Sequence, residues 1–265
     1  MKHITFNPYR TIGIKNTTYL KSDSMFKHID QIKESDWVLF PEYWQVNSLV
    51  YGLNKKIFPS VNSYHLGHDK IEMTRALLSI CPQNVPYTLI LPNNESGFET
   101  ALNEMPFPFI AKEVRNSMGK GVYLINDVSE FREYASISNV LYVQEQLPID
   151  RDMRIVYVGD DVIAAYWRVG NGESHLNNVS QGGEIVLELI PREAIDLVKH
   201  VAQTLGINHA GFDVAMVGDQ FYIFEFNILF GNVGFQKLDI SVEDKIVEYM
   251  QKEDSKLNID TMFVS

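Results

Sequence analysis

Residues 211–231 read GFDVAMVGDQFYIFEFNILFG. Two apolar, β-rich runs, Phe212 to Val217 and Phe221 to Asn227, flank a Gly-Asp turn. Each would make a good core strand, yet Asp213 interrupts the first, and Glu225 and Asn227 interrupt the second. A three-residue hairpin loop at Gly218-Asp219-Gln220 would pair Val217 with Phe221 and set Asp213 directly opposite Glu225. Opposed side chains share a face, and Asn227, two residues on, joins it. Carboxylates about 5 Å apart repel by roughly 3 kcal/mol at an effective dielectric near 20. A sheet does not adopt such a pairing for its own stability. A hard divalent cation would remove the penalty, and a few oxygen ligands suit Mg²⁺ shared between carboxylates and the phosphates of a substrate. A two-residue loop would instead turn Glu225 away from Asp213 and dissolve the cluster, leaving an exposed hairpin with scattered acids.

The 265 residues are 45% hydrophobic and 22% charged, enough for one large core or two to three smaller lobes. Lys and Arg number 23 against 34 Asp and Glu, a formal charge of −11. That balance argues against a protein that coats nucleic acid or an anionic membrane, while leaving room for a local basic pocket. Cys81 is the single cysteine, so no intrachain disulfide forms, and a reducing cytoplasm is the expected setting. Beside Pro82 and after an apolar helix, Cys81 reads as a buried helix end, not a catalytic thiol. The start MKHITFNPYR lacks a signal-peptide core, and no apolar run nears the ~18 residues of a membrane span. The seven histidines show no metal-ligand spacing.

Residues 1–65 read as a small α/β lobe, with strands at Trp37 to Phe40 and Lys56 to Phe58 and a helix from Tyr43 to Leu53 between them. So short a lobe must pack on the rest of the chain. A helix over 69–79 leads into alternating short strands and helices as far as Gln144. A hairpin comes next, Arg154 to Val158 and Val162 to Val169 about a turn at Gly159-Asp160-Asp161. The helix that starts at Pro191 runs to Leu205 with Gly206 beyond its end, and Ser241 caps the last helix.

Several residues invite chemistry. In PFPFIAKEV, strand alternation puts Lys112 with Ile110 and Val114, where a lysine needs an anionic partner unless it is an edge-strand gatekeeper. Ser117-Met118-Gly119-Lys120-Gly121 lies between two strands and could close backbone N–H groups over phosphate, or be a plain turn. Gln144-Glu145-Gln146-Leu147-Pro148 is either a linker or a hinge whose backbone could hydrogen-bond a purine. Asp152-x-Arg154 and Arg168 bracket one apolar hairpin, a setting for oxyanion or carboxylate binding or for ordinary salt bridges.

In this order, from about residue 66 to 240, the pieces resemble the ATP-grasp superfamily, and within it the RimK-like branch that joins amino acids to carboxylates. The resemblance implies an α+β ATP-grasp fold in which two α/β lobes, 66–147 and 148–265, clasp ATP beside a short N-terminal α/β (pre-ATP-grasp) subdomain, 1–65. It makes Lys70 and Lys112 the two ATP lysines. Ser117, Gly119 and Gly121 belong to the flexible glycine loop over the phosphates. Gln144, Glu145, Gln146 and Leu147 form the connector against adenine. Asp152 lies with the nucleotide; Arg154 and Arg168 line the phosphate and acceptor region. Asn178, ahead of Gly182-Gly183, is a further catalytic position. Asp213, Glu225 and Asn227 match the ligands of two Mg²⁺ ions. The chain departs from the branch at Leu176, where arginine is usual, at Ile228-Leu229-Phe230-Gly231, where a Pro-Gly turn is usual, and in its short N-terminal lobe.

The implied reaction takes a carboxylate and an amine, as small molecules or a peptide. The carboxylate attacks the γ-phosphate, and the amine displaces phosphate from the resulting acylphosphate, releasing ADP. The alternatives are an ATP-grasp kinase acting on a small molecule and a non-catalytic ATP-binding regulatory module. Nucleic acid and membrane are not expected partners; an oligomer is compatible with the sequence.

Overall fold

The structure, a computed structural model, describes residues 1–115, 121–170, 184–231 and 233–262. Its strands form three sheets. The first is parallel, β2-β1-β3-β4, from β1 (His3–Thr5), β2 (Thr17–Tyr19), β3 (Trp37–Leu39) and β4 (Lys56–Phe58). β1 and β2, three residues each, are too short to show a period and escape the sequence reading. One face of this sheet has its own core, including Ile4, Met25, Ile32, Val38, Leu49 and Ile57. Leu39, Phe40 and Phe58 instead share a cluster with Val156, Phe230, Ile246 and Met250. The small sheet thus completes its core on the chain's second half, as its size requires. Asp254, on the helix Val242–Met262, ties this down by accepting from Trp37 Nε1 at 3.2 Å and Lys56 Nζ at 2.6 Å. The Ser241 cap forms as read, accepting from Asp244 N at 3.1 Å.

The second sheet is antiparallel, β5-β8-β6-β7, from β5 (Thr88–Pro92), β6 (Phe109–Lys112), β7 (Val122–Ile125) and β8 (Val140–Glu145). The helices Glu95–Glu104 and Val128–Ile137, capped by Asn94 and Asp127, cover one face. Phe98, Phe131 and Tyr134 meet Phe109 and Ala111 there. Alternation along β6 therefore sends Ile110 and Lys112 to the other face, towards the third sheet.

That sheet is antiparallel too, β11-β10-β9-β12-β13, from β9 (Arg151–Val158), β10 (Asp161–Val169), β11 (Glu184–Val186), β12 (His209–Val217) and β13 (Gln220–Asn227). The helices Arg192–Leu205 and Lys70–Ile80 pack on it through Ala194, Val198, Met73 and Leu77. Gly206 ends the former at φ 67°. Cys81 is buried at the end of Lys70–Ile80.

Two expected turns are corrected. The β9–β10 turn is Gly159-Asp160, because Asp161 already pairs with Val158. The β12–β13 loop has two residues, Gly218 and Asp219, with Val217 opposite Gln220. By itself that register would separate Asp213 from Glu225. The ladder shifts between Asp213 and Val214, however, and Phe224 is the extra residue. This bulge restores the lost step, so Asp213 does stand opposite Glu225.

Candidate functional site

One row of opposed residues crosses the third sheet: Tyr166 on β10, Arg154 on β9, Asp213 on β12 and Glu225 on β13. Asp152 and Arg168, opposed to each other, lie two residues along on the same face. Arg154 Nε is 2.8 Å and Arg168 Nη2 3.1 Å from Asp213 Oδ1; Arg168 Nε donates to Asp152 Oδ1 at 2.6 Å. Glu225 Oε1 accepts from Asn227 Nδ2 at 3.1 Å, and its Oε2 lies 3.5 Å from Lys70 Nζ. The repulsion expected between Asp213 and Glu225 is thus spread over three cations at their edges.

Lys70 opens the helix Lys70–Ile80, where a cation opposes the helix dipole. Asp69 caps that end, accepting from Ile71 N at 2.9 Å. Lys112 faces the row from β6. It is 6% exposed, donates to Gln144 Oε1 at 2.7 Å, and lies 5.8 Å and 5.7 Å from the Tyr142 and Phe224 ring centroids. The bulged Phe224 therefore forms part of its pocket.

Burial pushes the Lys112 pKa down from 10.5 to about 8, against the pull of Glu225 and with the help of Lys70. Burial also weighs on Glu225, but Lys70, Lys112 and the Asn227 amide outweigh it and hold the carboxyl below its usual range. Burial pushes Asp213 up, against Arg154 and Arg168. Arg168 loses solvation as well, yet Asp213 and Asp152 more than restore its charge and raise its pKa.

The row opens into a cleft of about 970 Å³ walled also by Arg10, Phe40 and Tyr64 of the first sheet's segment. The structure brings together Lys70, Lys112, Gln144, Asp152, Arg154, Arg168, Asp213, Glu225 and Asn227. Gln144 turns its side chain to Lys112 and to Thr88 Oγ1, at 2.8 Å. Glu145 accepts from Tyr87 N at 2.7 Å, and the chain leaves β8 through half-buried Leu147 and exposed Gln146. Gly121, at φ 70°, sends its carbonyl to Glu113 N at 2.7 Å. Ser117, Gly119 and Asn178, with Leu176, Gly182 and Gly183, lie outside the described residues.

Two participants escaped the sequence reading. Gly211 lies beneath Arg154: a Cβ there would fall 2.6 Å from Arg154 Nη1 and 3.1 Å from Phe230 Cβ. A glycine inside a strand is a recognised sign of such close approach. Arg10 had no local sign, because its hydrogen-bond partner, Phe230 O, is 220 residues away.

The donor set fits Mg²⁺. Among the described residues no cluster of three His, Cys, Asp or Glu could hold a metal alone. Asp213, Glu225 and Asn227 instead offer two carboxylates and an amide. Asp213 Oδ1 is buried and, despite the nearby guanidinium groups, accepts no well-directed hydrogen bond. An ion held by so few protein oxygens completes its shell with water and phosphate, which is the habit of Mg²⁺.

Comparison with known proteins agrees with this geometry. Residues 68–250 match the model of the RimK-like ATP-grasp domain. The chain belongs to the RimK-like ATP-grasp family. It is 34% identical over 126 residues to the tetrahydromethanopterin:alpha-L-glutamate ligase of Methanocaldococcus jannaschii, covering 46% of this chain and 42% of that protein. It is 23% identical over 216 residues to the coenzyme gamma-F420-2:alpha-L-glutamate ligase of Methanococcus maripaludis, covering 79% and 75%. The chain spans about half the length of the first curated relatives it matches. The D-alanine–D-alanine ligase of Bacillus anthracis, in complex with ATP, superposes with a TM-score of 0.72 at 12% identity over 97% of this chain and 99% of that one. This RimK-like chain therefore has the ATP-grasp fold. Among its described residues no helix is long and apolar enough to cross a membrane.

Proposed function

We propose that this chain is an ATP-dependent carboxylate–amine ligase that works through an acylphosphate and releases ADP and phosphate. The observation that carries the reading is the row Arg154–Asp213–Glu225 with Lys70 against Glu225 at the cleft and Lys112 buried close by, beside Gln144 and Phe224. Carboxylates and ammonium groups gathered at the edge of one cleft suit a triphosphate that arrives with its metal ion. Mg²⁺ on Asp213, Glu225 and Asn227 would supply charge neutralisation at the terminal phosphates. Lys70 and Lys112 take the remaining phosphate charge. Gln144 fixes the Lys112 ammonium, and Asp152 holds the Arg168 guanidinium. Arg154 and Arg168, paired to Asp213 and Asp152, would orient a substrate carboxylate for in-line attack on the γ-phosphate and carry charge as the amine displaces phosphate. The segments 1–65, 66–147 and 148–265 act as acceptor-side subdomain, nucleotide lobe and metal lobe, with Gln144 to Leu147 joining the lobes on the adenine side. The glycine loop with Ser117, Gly119 and Gly121, and Asn178, would close the site. The protein positions reactants and stabilises charge; closure keeps water from the acylphosphate. Both of these relatives are named as alpha-L-glutamate ligases, which supports an amino acid as the amine.

The test is to incubate the protein with ATP, Mg²⁺ and a pool of amino acids and acids, then separate the nucleotides. ADP and phosphate are expected, with nucleotide binding much weaker once Mg²⁺ is chelated. AMP and pyrophosphate as products would overturn the acylphosphate. ADP without free phosphate, its phosphoryl group on a hydroxyl, would favour the kinase reading.

Lys112 gives a second check. A phosphate beside it favours the ammonium form and raises its pKa above the free value of about 8. Nucleotide binding at pH 8.5 should therefore take up a proton, and binding at pH 6.5, where Lys112 is already charged, should not. Calorimetry in two buffers of different ionisation enthalpy measures this. Affinity should also fall as the pH rises through 8. Buffer-independent heats at pH 8.5 would remove Lys112 from the phosphates.

A further inference from the structure

The β12–β13 ladder ends at the pair Gly211–Asn227. The chain then runs on as Ile228-Leu229-Phe230-Gly231, and among the described residues no backbone hydrogen bond ties these four to the sheet. No proline stiffens the turn. Side chains from distant segments hold it instead. The Ile228 carbonyl accepts from His209 Nδ1 at 2.8 Å, and the Phe230 carbonyl accepts from Arg10 Nη2 at 2.9 Å. The His209 ring stacks on Phe230, with centroids 4.5 Å apart and planes 23° apart. Gly67 lies against the Ile228 side chain, so close that a Cβ there would fall 2.9 Å from Ile228 Cγ2.

His209 is fully buried. Phe40 and Phe58 stand edge-on to its ring, each with its centroid 5.3 Å away. A carbonyl oxygen only accepts, so Nδ1 carries the ring proton. Burial, helped by the charge of Arg10, pushes the His209 pKa down to about 3, against the pull of the Ile228 carbonyl. The ring is therefore neutral and Nε2 is a bare acceptor. Nε2 is buried and has no hydrogen-bond partner among the described residues. A buried acceptor left unsatisfied weakens a fold. Phenylalanine would fill much the same space among the rings of Phe40, Phe58 and Phe230 without that defect. What histidine adds is one N–H, and this N–H goes to the residue after Asn227.

We infer that His209 is a positioning residue for the metal site: its Nδ1–H pins the turn that leaves β13 and so sets Asn227, and Glu225 with it, against the ion. The inference rests on the reading of Asp213, Glu225 and Asn227 as the Mg²⁺ ligands. The path is short. The pinned carbonyl is one residue beyond Asn227, and Asn227 Nδ2 donates to Glu225 Oε1 at 3.1 Å, so the two side chains move together. Groups that orient metal ligands from behind are often nearly as important as the ligands. The first sheet's segment shares the task, because Arg10 holds the same turn and Phe40 and Phe58 hold the ring.

The probe is Mn²⁺, followed by electron paramagnetic resonance, with the full chain and a non-hydrolysable ATP analogue. His209→Phe keeps an aromatic ring and loses the N–H. Its Mn²⁺ affinity should fall roughly tenfold, the low end of what loss of a ligand's outer partner costs, while its melting temperature holds. His209→Asn sets an amide N–H near the place of Nδ1 and empties space among the rings. It should recover part of the affinity and melt lower. A histidine that served only the fold would move affinity and melting temperature together. Wild-type Mn²⁺ affinity in His209→Phe would overturn the inference, as would a folded His209→Asn that binds no better than His209→Phe. A His209→Phe chain that does not fold would make the residue structural and overturn it too. If only His209→Asn fails to fold, nucleotide binding decides. Analogue affinity in His209→Phe should be weakened at low Mg²⁺ and normal at saturating Mg²⁺; a deficit that Mg²⁺ does not relieve counts against the inference. Glu225→Gln separates this from the metal reading. If it binds Mn²⁺ as the wild type does, the metal reading falls and takes the inference with it. If it loses Mn²⁺ while His209→Phe keeps it, the inference alone falls.

Discussion

Replacing Lys112 with methionine should lower the rate of ADP formation by about 10²–10³ while the protein stays folded. Lys112 is buried, and an unbranched methionine fills most of its volume. Two stability effects compete. Gln144 Oε1 loses its donor, at a cost of about 1–3 kcal/mol. Against this, the folded state no longer holds a buried cation. The lysine pKa falls from 10.5 in the reference state to about 8 in the fold. A depressed lysine pKa means that at neutral pH the charged form costs the fold about 3 kcal/mol, a cost that fades as pH rises through that interval. Methionine removes it at pH 7, so the melting temperature should hold or rise. A lysine kept there at such cost has a use that stability does not explain. Unchanged ADP formation would remove Lys112 from the reaction, and a matching loss of fold and rate would make it structural; the edge-strand gatekeeper reading does not hold, because β6 lies between β8 and β7.

How much of this was legible in the sequence depends on how far each contact reaches along the chain. Strands such as Val122–Ile125 and Lys56–Phe58, and the helix Val128–Ile137, have boundaries written in their own residues and caps. The Asp213–Glu225 pairing was read from a three-residue loop; the loop has two residues, and the pairing holds only because the bulge supplies the missing step. The bulge at Phe224 was not legible, because a two-residue loop with a bulge and a three-residue loop without one give the same pairing at Asp213. Gln144 was read through its place between lobes. Its side chain instead serves Lys112, a contact between strands that local pattern does not encode. Arg10 is the extreme case, since neither Phe230 nor the cleft is near it in sequence.

Gly211→Ala should cut turnover by about 10² with little change in melting temperature. Gly211 stands between Val156 and Asn227 in the third sheet, and its missing side chain makes room for Arg154. An alanine Cβ would sit 2.6 Å from Arg154 Nη1 and 3.1 Å from Arg154 Cδ, both closer than contact allows without movement. The nearest atom ends a long, flexible side chain, so the guanidinium gives way before the sheet does. Phe230 Cβ, at 3.1 Å, must also shift by a few tenths of an ångström. Alanine costs the unfolded chain some freedom, which offsets part of that strain by about 0.5–1 kcal/mol. The fold therefore persists while Arg154 leaves its 2.8 Å contact with Asp213. A misplacement of about 1 Å in a positioning group is enough for a hundredfold loss. Turnover of Gly211→Ala, Arg154→Met and the double variant decides the route. If the glycine acts through Arg154, the double variant is no slower than Arg154→Met alone, because the two changes remove one interaction. Losses that multiply would mean that Gly211 serves the reaction by some route other than Arg154, and the room it leaves for the guanidinium would then be incidental.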